Sequence, residues 1–155
     1  MAVITVEAPA SRYDIVIQSG VLNAEAAANF KLDHAVVVTN ETVAPLHGER
    51  FAAAIGAPLV AMPDGERFKT LDTVAGLYAD FVTAGLDRSS TVIALGGGVV
   101  GDTAGFAASS YMRGIRLVQA PTSLLSMVDS SVGGKVGVDL PQGKNLVGAF
   151  KQPDV

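Results

Sequence analysis

The sequence predicts an α/β fold, a mostly parallel sheet flanked by helices, and three observations carry that expectation. Short apolar runs alternate with helix-length segments along most of the chain, the order that builds βαβ units. One run, Thr91-Val92-Ile93-Ala94-Leu95, is almost entirely apolar, as strands covered on both faces are. The composition also favours a large buried fraction. Of 155 residues, 49% are hydrophobic and only 17% charged, against roughly 25% charged in an average domain. Disorder is thereby excluded. The absence of cysteine excludes a disulfide scaffold, a thiolate metal site and a cysteine nucleophile. A net charge of −4 argues against a nucleic-acid partner, whose footprint is a basic stripe. The N-terminus lacks the pattern of a signal peptide, and no run of about 18 apolar residues suggests a membrane span. The expectation is one soluble, cytoplasmic domain over residues 1–155.

The elements follow in order. Residues 3–6 and 13–18 alternate apolar and polar positions around Pro9, which predicts two strands joined by a turn. The Ala-rich stretch 21–30 has helical propensity. Strands are then expected over 35–39, 58–62, 91–95 and 115–120, with helices over 42–55, 71–84 and 100–111. After Leu124 the pattern changes. A short helix near 123–128 is expected, then a Gly-rich loop and a strand or hairpin too polar for the core. The final Phe150-Lys151-Gln152-Pro153-Asp154-Val155 has neither a cap nor a polar tail, so the chain is expected to stop inside an element. There are no internal repeats.

Ligands of parallel sheets bind at the carboxyl ends of the strands, which points to Asn40, 62–66, 96–98 and 121–123. The segment Gly96-Gly97-Gly98-Val99-Val100-Gly101 fits G-x-G-x-x-G between a strand and a helix. Its glycines either let the backbone approach a pyrophosphate at the helix N-terminus or serve close helix–sheet packing. Asp102, in the first turn of that helix, either complements the helix dipole or accepts from a ligand hydroxyl. Asp64-Gly65-Glu66-Arg67-Phe68-Lys69 is either a charged surface turn or a binding loop at the same edge. Thr122-Ser123 either caps the next helix or bonds a nucleotide. Between Ser89 and Gly134 only Asp102, Arg113, Arg116 and Asp129 are charged. Ionised groups in so apolar a segment need partners, and together they suggest a site. Lys135, between Gly133-Gly134 and Gly137, is a cation to which an anion has close backbone access, and Lys144-Asn145 repeats the idea. His34 and His47 lack companions at metal-ligand spacing and are read as surface or structural residues; no metal ligands are assigned.

Five motifs in order, Gly96-Gly97-Gly98-Val99-Val100-Gly101-Asp102, Tyr111-Met112-Arg113-Gly114, Pro121-Thr122-Ser123-Leu124-Leu125, Asp129-Ser130-Ser131-Val132-Gly133-Gly134-Lys135 and Gly143-Lys144-Asn145, resemble the 3-dehydroquinate synthase family. The resemblance implies a Rossmann-like N-terminal domain that binds NAD. A C-terminal metal-binding helical domain, with zinc or cobalt, would lie beyond Val155. It implies a carbon–oxygen lyase of the shikimate pathway, a homodimer, that converts 3-deoxy-D-arabino-heptulosonate 7-phosphate into 3-dehydroquinate and phosphate. NAD would contact Asn40, Asp64, Gly65, Glu66, Arg67, Phe68, Lys69, Gly98, Val99, Val100, Gly101, Asp102, Thr122, Ser123 and Lys144. The phosphorylated sugar acid would contact Arg113, Asp129, Lys135 and Asn145. Arg113 follows its helix, so it is expected to point away from its own cleft, toward a neighbouring subunit. Three alternatives stay open: another sugar-phosphate cyclase such as 2-deoxy-scyllo-inosose synthase, a metal-dependent polyol dehydrogenase, and a non-catalytic NAD-binding module. Against the dehydrogenases, Gly105 stands where their helix carries a lysine.

Overall fold

The computed structural model describes residues 1–8, 11–23, 30, 32 and 34–155. The chain begins with an antiparallel pair, β1 (Ala2–Ala8) and β2 (Ser11–Ile17), as the alternation around Pro9 predicts. Most of the helix expected over 21–30 lies outside the described residues. A four-stranded parallel sheet follows, made of β3 (Ala35–Asn40), β4 (Leu59–Met62), β5 (Thr91–Gly96) and β6 (Arg116–Pro121), in the order β4-β3-β5-β6. The helices are α1 (Glu49–Ile55), α2 (Leu71–Thr83) and α3 (Gly98–Ser110). A second antiparallel pair, β7 (Lys135–Leu140) and β8 (Gly143–Phe150), completes the fold.

The inner strands β3 and β5 are buried at every position, and their side chains alternate between two cores. Val36, Val38, Val92 and Ala94 pack with Val74, Leu77 and Phe81 of α2 and Val100, Ala104 and Ala107 of α3. Val37, Ile93 and Leu95 face the other way, against Phe51 and Ala52 of α1. Burying one such side chain contributes roughly 1.5–3 kcal/mol, so these two strands are the best-supported part of the sheet. The outer edge of β6 is not bare. Asp154 donates its N–H to Leu117 O at 2.7 Å, and Gln119 donates to Val155 O at 2.9 Å.

Three expectations need correction. The helix over 42–55 is two pieces: a wide turn, Ala44–Gly48, with α-helix only from Glu49. Pro45 has no N–H to give, and Val43 O receives the amides of Leu46, His47 and Gly48 instead. The helix after the triple glycine starts at Gly98, two residues earlier than expected. The segment read as too polar for the core contributes to it through alternate residues: Val138 is fully buried and Val136 nearly so. β7 lies so close to α3 that a Cβ on Gly105 would sit 2.5 Å from Val136 Cγ1.

Candidate functional site

In the sheet order, β3 and β5 are neighbours at the centre, with β4 outside β3 and β6 outside β5. The chain therefore leaves β3 toward one side of the sheet and leaves β5 toward the other, and the crevice that opens at such a switch point is where ligands of open parallel sheets bind. The switch brings together the carboxyl ends of β3, at Asn40, and of β5, at Gly96. All four loops singled out in the sequence lie along this edge.

The glycines divide their labour. Gly96 serves packing, since a Cβ there would meet Val100 Cγ2 at 2.6 Å. Gly101 donates its N–H to Gly97 O at 3.0 Å, closing the first turn of α3, and packs against the Gln119 side chain. The amides of Gly98, Val99 and Val100 precede that first bond and have no intrahelical acceptor, and no side chain caps the helix. Gly97 and Gly98 are partly exposed. An uncapped helix start in a glycine turn suits the pyrophosphate of a dinucleotide. Asp102 does not belong to this turn: the first turn of α3 holds no acidic residue. It lies one turn further in, too deep to act as a dipole-complementing residue at the terminus.

Asp102 instead meets Lys69. Lys69 follows the short helical turn Glu66–Phe68 and is almost wholly buried. Its Nζ donates to Asp102 Oδ2 at 2.5 Å and to Asn145 Oδ1 at 2.6 Å. The Lys69 and Asp102 side chains are 5% and 21% exposed, so Asp102 is the member a ligand can reach. Loss of hydration pushes the Asp102 carboxyl above the usual range; Lys69 opposes the shift, and the charges of Glu66 and Asp139 add to it. On the rim, Lys144 Nζ donates to Glu66 Oε1 at 3.0 Å, and this bond raises the Lys144 pKa. Asn40 Nδ2 and Thr42 Oγ1 both donate to Asp64, at 2.6 and 2.7 Å, while Val43 N–H donates to Asn40 Oδ1. The Arg67 guanidinium lies 4.7 Å over the Phe68 ring. After β6, Thr122 N–H donates to Gly96 O, and Ser126 N–H donates to Ser123 Oγ at 3.3 Å. Ser123 thus starts the helical turn Ser126–Ser130 and also stands 3.7 Å from where a Cβ on Gly97 would be.

The four residues expected to contact substrate are not all together. Asp129, exposed in the turn 126–130, and Lys135, exposed at the start of β7, flank the loop 131–134. Asn145 joins the Lys69 cluster. Arg113 is elsewhere: it follows the C-terminal end of α3, and a 13-residue helix spans roughly 20 Å. It lies at the opposite edge of the sheet, beside an open depression of about 560 Å³ lined by Asp87, Arg88, Ser89, Met112 and Arg113. Met112 and Arg113 have positive φ, 49° and 72°, and Gly114 follows at 113°. Left-handed backbone at non-glycine residues costs energy and gathers at functional sites. Two contributors escaped the sequence reading. Tyr13 Oη accepts the Gly133 N–H at 2.9 Å, tying the first hairpin to the Gly-rich loop. Asp139 accepts the Asn145 N–H at 2.7 Å. Neither lies in a motif, and no periodicity marks them. Among the described residues no three His, Cys, Asp or Glu side chains gather closely enough to hold a metal, and no helix is long and apolar enough to cross a membrane.

A family model described as 3-dehydroquinate synthase N-terminal matches residues 59–155. A 3-dehydroquinate synthase of Halorhodospira halophila is 54% identical over 144 residues, covering 91% of this chain and 40% of that protein. The chain thus spans well under half the length of that relative. Among solved structures, a 2-deoxy-scyllo-inosose synthase complexed with carbaglucose-6-phosphate, NAD+ and Co2+ superposes with a TM-score of 0.88. It is 29% identical, over 98% of this chain and 43% of that one. A 2-epi-5-epi-valiolone synthase from Streptomyces hygroscopicus, with NAD+ and Zn2+ bound, gives a TM-score of 0.80 at 31% identity, over 97% of this chain and 43% of that one.

Proposed function

This chain belongs to the 3-dehydroquinate synthase family, and from that premise we propose that it supplies the NAD-binding part of an enzyme that converts 3-deoxy-D-arabino-heptulosonate 7-phosphate into 3-dehydroquinate and phosphate. The observation that carries the reading is the convergence, at one sheet edge, of an uncapped glycine-turn helix start with the Lys69–Asp102–Asn145 cluster. Relatives in the same fold that contain NAD+ support it.

The free amides of Gly98, Val99 and Val100 hold the pyrophosphate, and Asp102 accepts a ribose hydroxyl with Lys69 fixing its carboxylate. Asn40 and residues 64–69 line the β3–β4 side, and Thr122, Ser123 and Lys144 line the other. Bound there, NAD would accept a hydride from a ring carbon of the sugar acid and later return it. Lys135, as a point charge, attracts the phosphate group, while Asp129 and Asn145 orient the sugar hydroxyls. Arg113, a helix length away, reaches the phosphate of a second copy in a homodimer; its planar fork matches phosphate oxygens. Among the described residues no three His, Cys, Asp or Glu side chains gather to hold a zinc or cobalt ion, and no role given to these residues is routed through one. The enzyme's setting in this proposal is the cytoplasm.

The test has two arms. Calorimetry of this chain with NAD+ should show binding, and the full-length enzyme carrying the segment should release phosphate from the heptulosonate phosphate. Absence of NAD+ binding to that enzyme overturns the proposal.

A further inference from the structure

We infer that Asp139 is a positioning residue: together with Lys69 it holds Asn145 in the turn conformation from which that side chain serves the substrate. The inference rests on the reading of Asn145 as a substrate ligand. Its physical basis is a break in the β7–β8 register. Val138 faces Val147 and Leu140 faces Gly143, so Asp139 alone stands opposite the three residues 144–146. Bulges of this kind re-aim side chains and are common beside active sites. In this bulge Asn145 takes a φ of 54°, a left-handed conformation that asparagine tolerates better than most residues.

Three hydrogen bonds close a ring around it. Asn145 donates its N–H to Asp139 Oδ1 at 2.7 Å, in place of a cross-strand bond. Asp139 turns its own N–H away from β8 and donates it to Lys69 O at 2.8 Å. Lys69 Nζ returns to Asn145 Oδ1 at 2.6 Å. The hairpin turn that carries Lys144 and Asn145 is thereby locked to the loop after β4, which carries the proposed cofactor contacts. With Oδ1 engaged by Lys69, the group that Asn145 has left for a ligand is its amide nitrogen, a donor. That suits a hydroxyl or phosphate oxygen of a sugar acid.

Two variants and one cycle test this. By NMR on this chain, Asp139→Ala should accelerate amide exchange at Asn145 while the Val136–Val138 amides keep wild-type protection. Asp139→Asn, which keeps an oxygen acceptor, should restore slow exchange. In the full-length enzyme, Asp139→Ala should lower kcat/KM for the heptulosonate phosphate by about tenfold or more, within the range that misplacing an orienting group costs. NAD+ affinity should stay at the wild-type value, and Asp139→Asn should recover activity. In an Asn145→Gly background, Asp139→Ala should cost nothing further, because the two changes remove one interaction. Unchanged Asn145 exchange in Asp139→Ala, or additive losses in the cycle, would overturn the inference. If the wild-type enzyme releases no phosphate, the functional reading fails separately, and the exchange data alone decide what Asp139 positions.

Discussion

Lys69 is the residue on which most of the site's energetics turn. It is nearly buried, and its partner Asp102 is only partly exposed. Removing one member of a buried pair leaves an uncompensated charge, whereas replacing both with apolar groups is often neutral. Lys69→Met should therefore destabilise the chain by about 3 kcal/mol, and the double variant Lys69→Met/Asp102→Leu should recover most of that loss while losing NAD+ binding. Urea denaturation checks the first statement and calorimetry the second. The pH dependence has a definite sign. Because burial raises the folded pKa of Asp102, the folded chain holds the carboxyl proton more tightly than the unfolded chain, but only in the window between the two pKa values; above it the carboxylate paired with Lys69 is the form present. The contribution of this group to stability is present below the ordinary carboxylate pKa and is lost as pH rises through the raised one. Asp102→Asn should remove that component from the stability–pH curve. For the two cations proposed to meet the substrate phosphate, Lys135→Ala and Arg113→Ala should each lower kcat/KM of the full-length enzyme by about 2–4 kcal/mol in transition-state terms, as truncation of a charge pair desolvated in a closed site does. NAD+ affinity should hold in both. Wild-type kcat/KM in both variants would show that neither touches the phosphate.

Among the elements, α3 connects the two halves of the site, and its glycines set how closely it can be approached. A Cβ on Gly105 would lie 2.5 Å from Val136 Cγ1 and 3.4 Å from Leu117 Cδ2. Gly105→Ala should cost about 1–3 kcal/mol, as overpacking does, through displacement of β7; the midpoint of urea unfolding measures it. The same contact gives a packing reason for the absence of a lysine at this position. The elements also show what could be read in advance. The four parallel strands and α2 were legible because continuous apolar runs and a 3.6-residue period each report burial directly. The break in the helix after Asn40 was not, because it depends on which carbonyl receives amides next to Pro45. The gathering of four loops at one sheet edge was legible because strand ends and glycine turns mark themselves. The ring through Asp139 was not, because a bulge is a relation between two strands and leaves no trace along one. Nor did the sequence show that Lys69, Asp102 and Asn145 meet, since they are brought together from three separate elements.

At the scale of the molecule, apolar surface is unevenly covered. Leu124, Leu125 and Val128 are 76%, 70% and 68% exposed, with Met127 among them, around the helical turn that follows β6. Contiguous apolar surface of more than a few hundred Å² marks a contact site. This chain should self-associate at high concentration, and Leu125→Lys/Val128→Lys should reduce the association seen by light scattering. A strictly monomeric wild type would count against a contact role for this face. Binding by the isolated chain should be weak for a related reason. A cleft buries most of a ligand's surface, whereas this edge covers a dinucleotide from one side. Phosphate release by the chain alone, above an enzyme-free control, would contradict the proposed division of labour.

The bond from Gly133 to Tyr13 joins residues 120 positions apart, and that separation has a consequence in time. During synthesis at about 5–20 residues per second, the first hairpin leaves the ribosome roughly 6–24 s before the loop it holds. Through that interval Tyr13, buried in the finished chain, lacks the loop amide that its hydroxyl accepts. Closing so long a stretch of chain is entropically costly before its contacts form. The Gly-rich loop is therefore expected to be among the last parts of the molecule to order, and a nascent chain stalled before Gly133 to be an early client of chaperones.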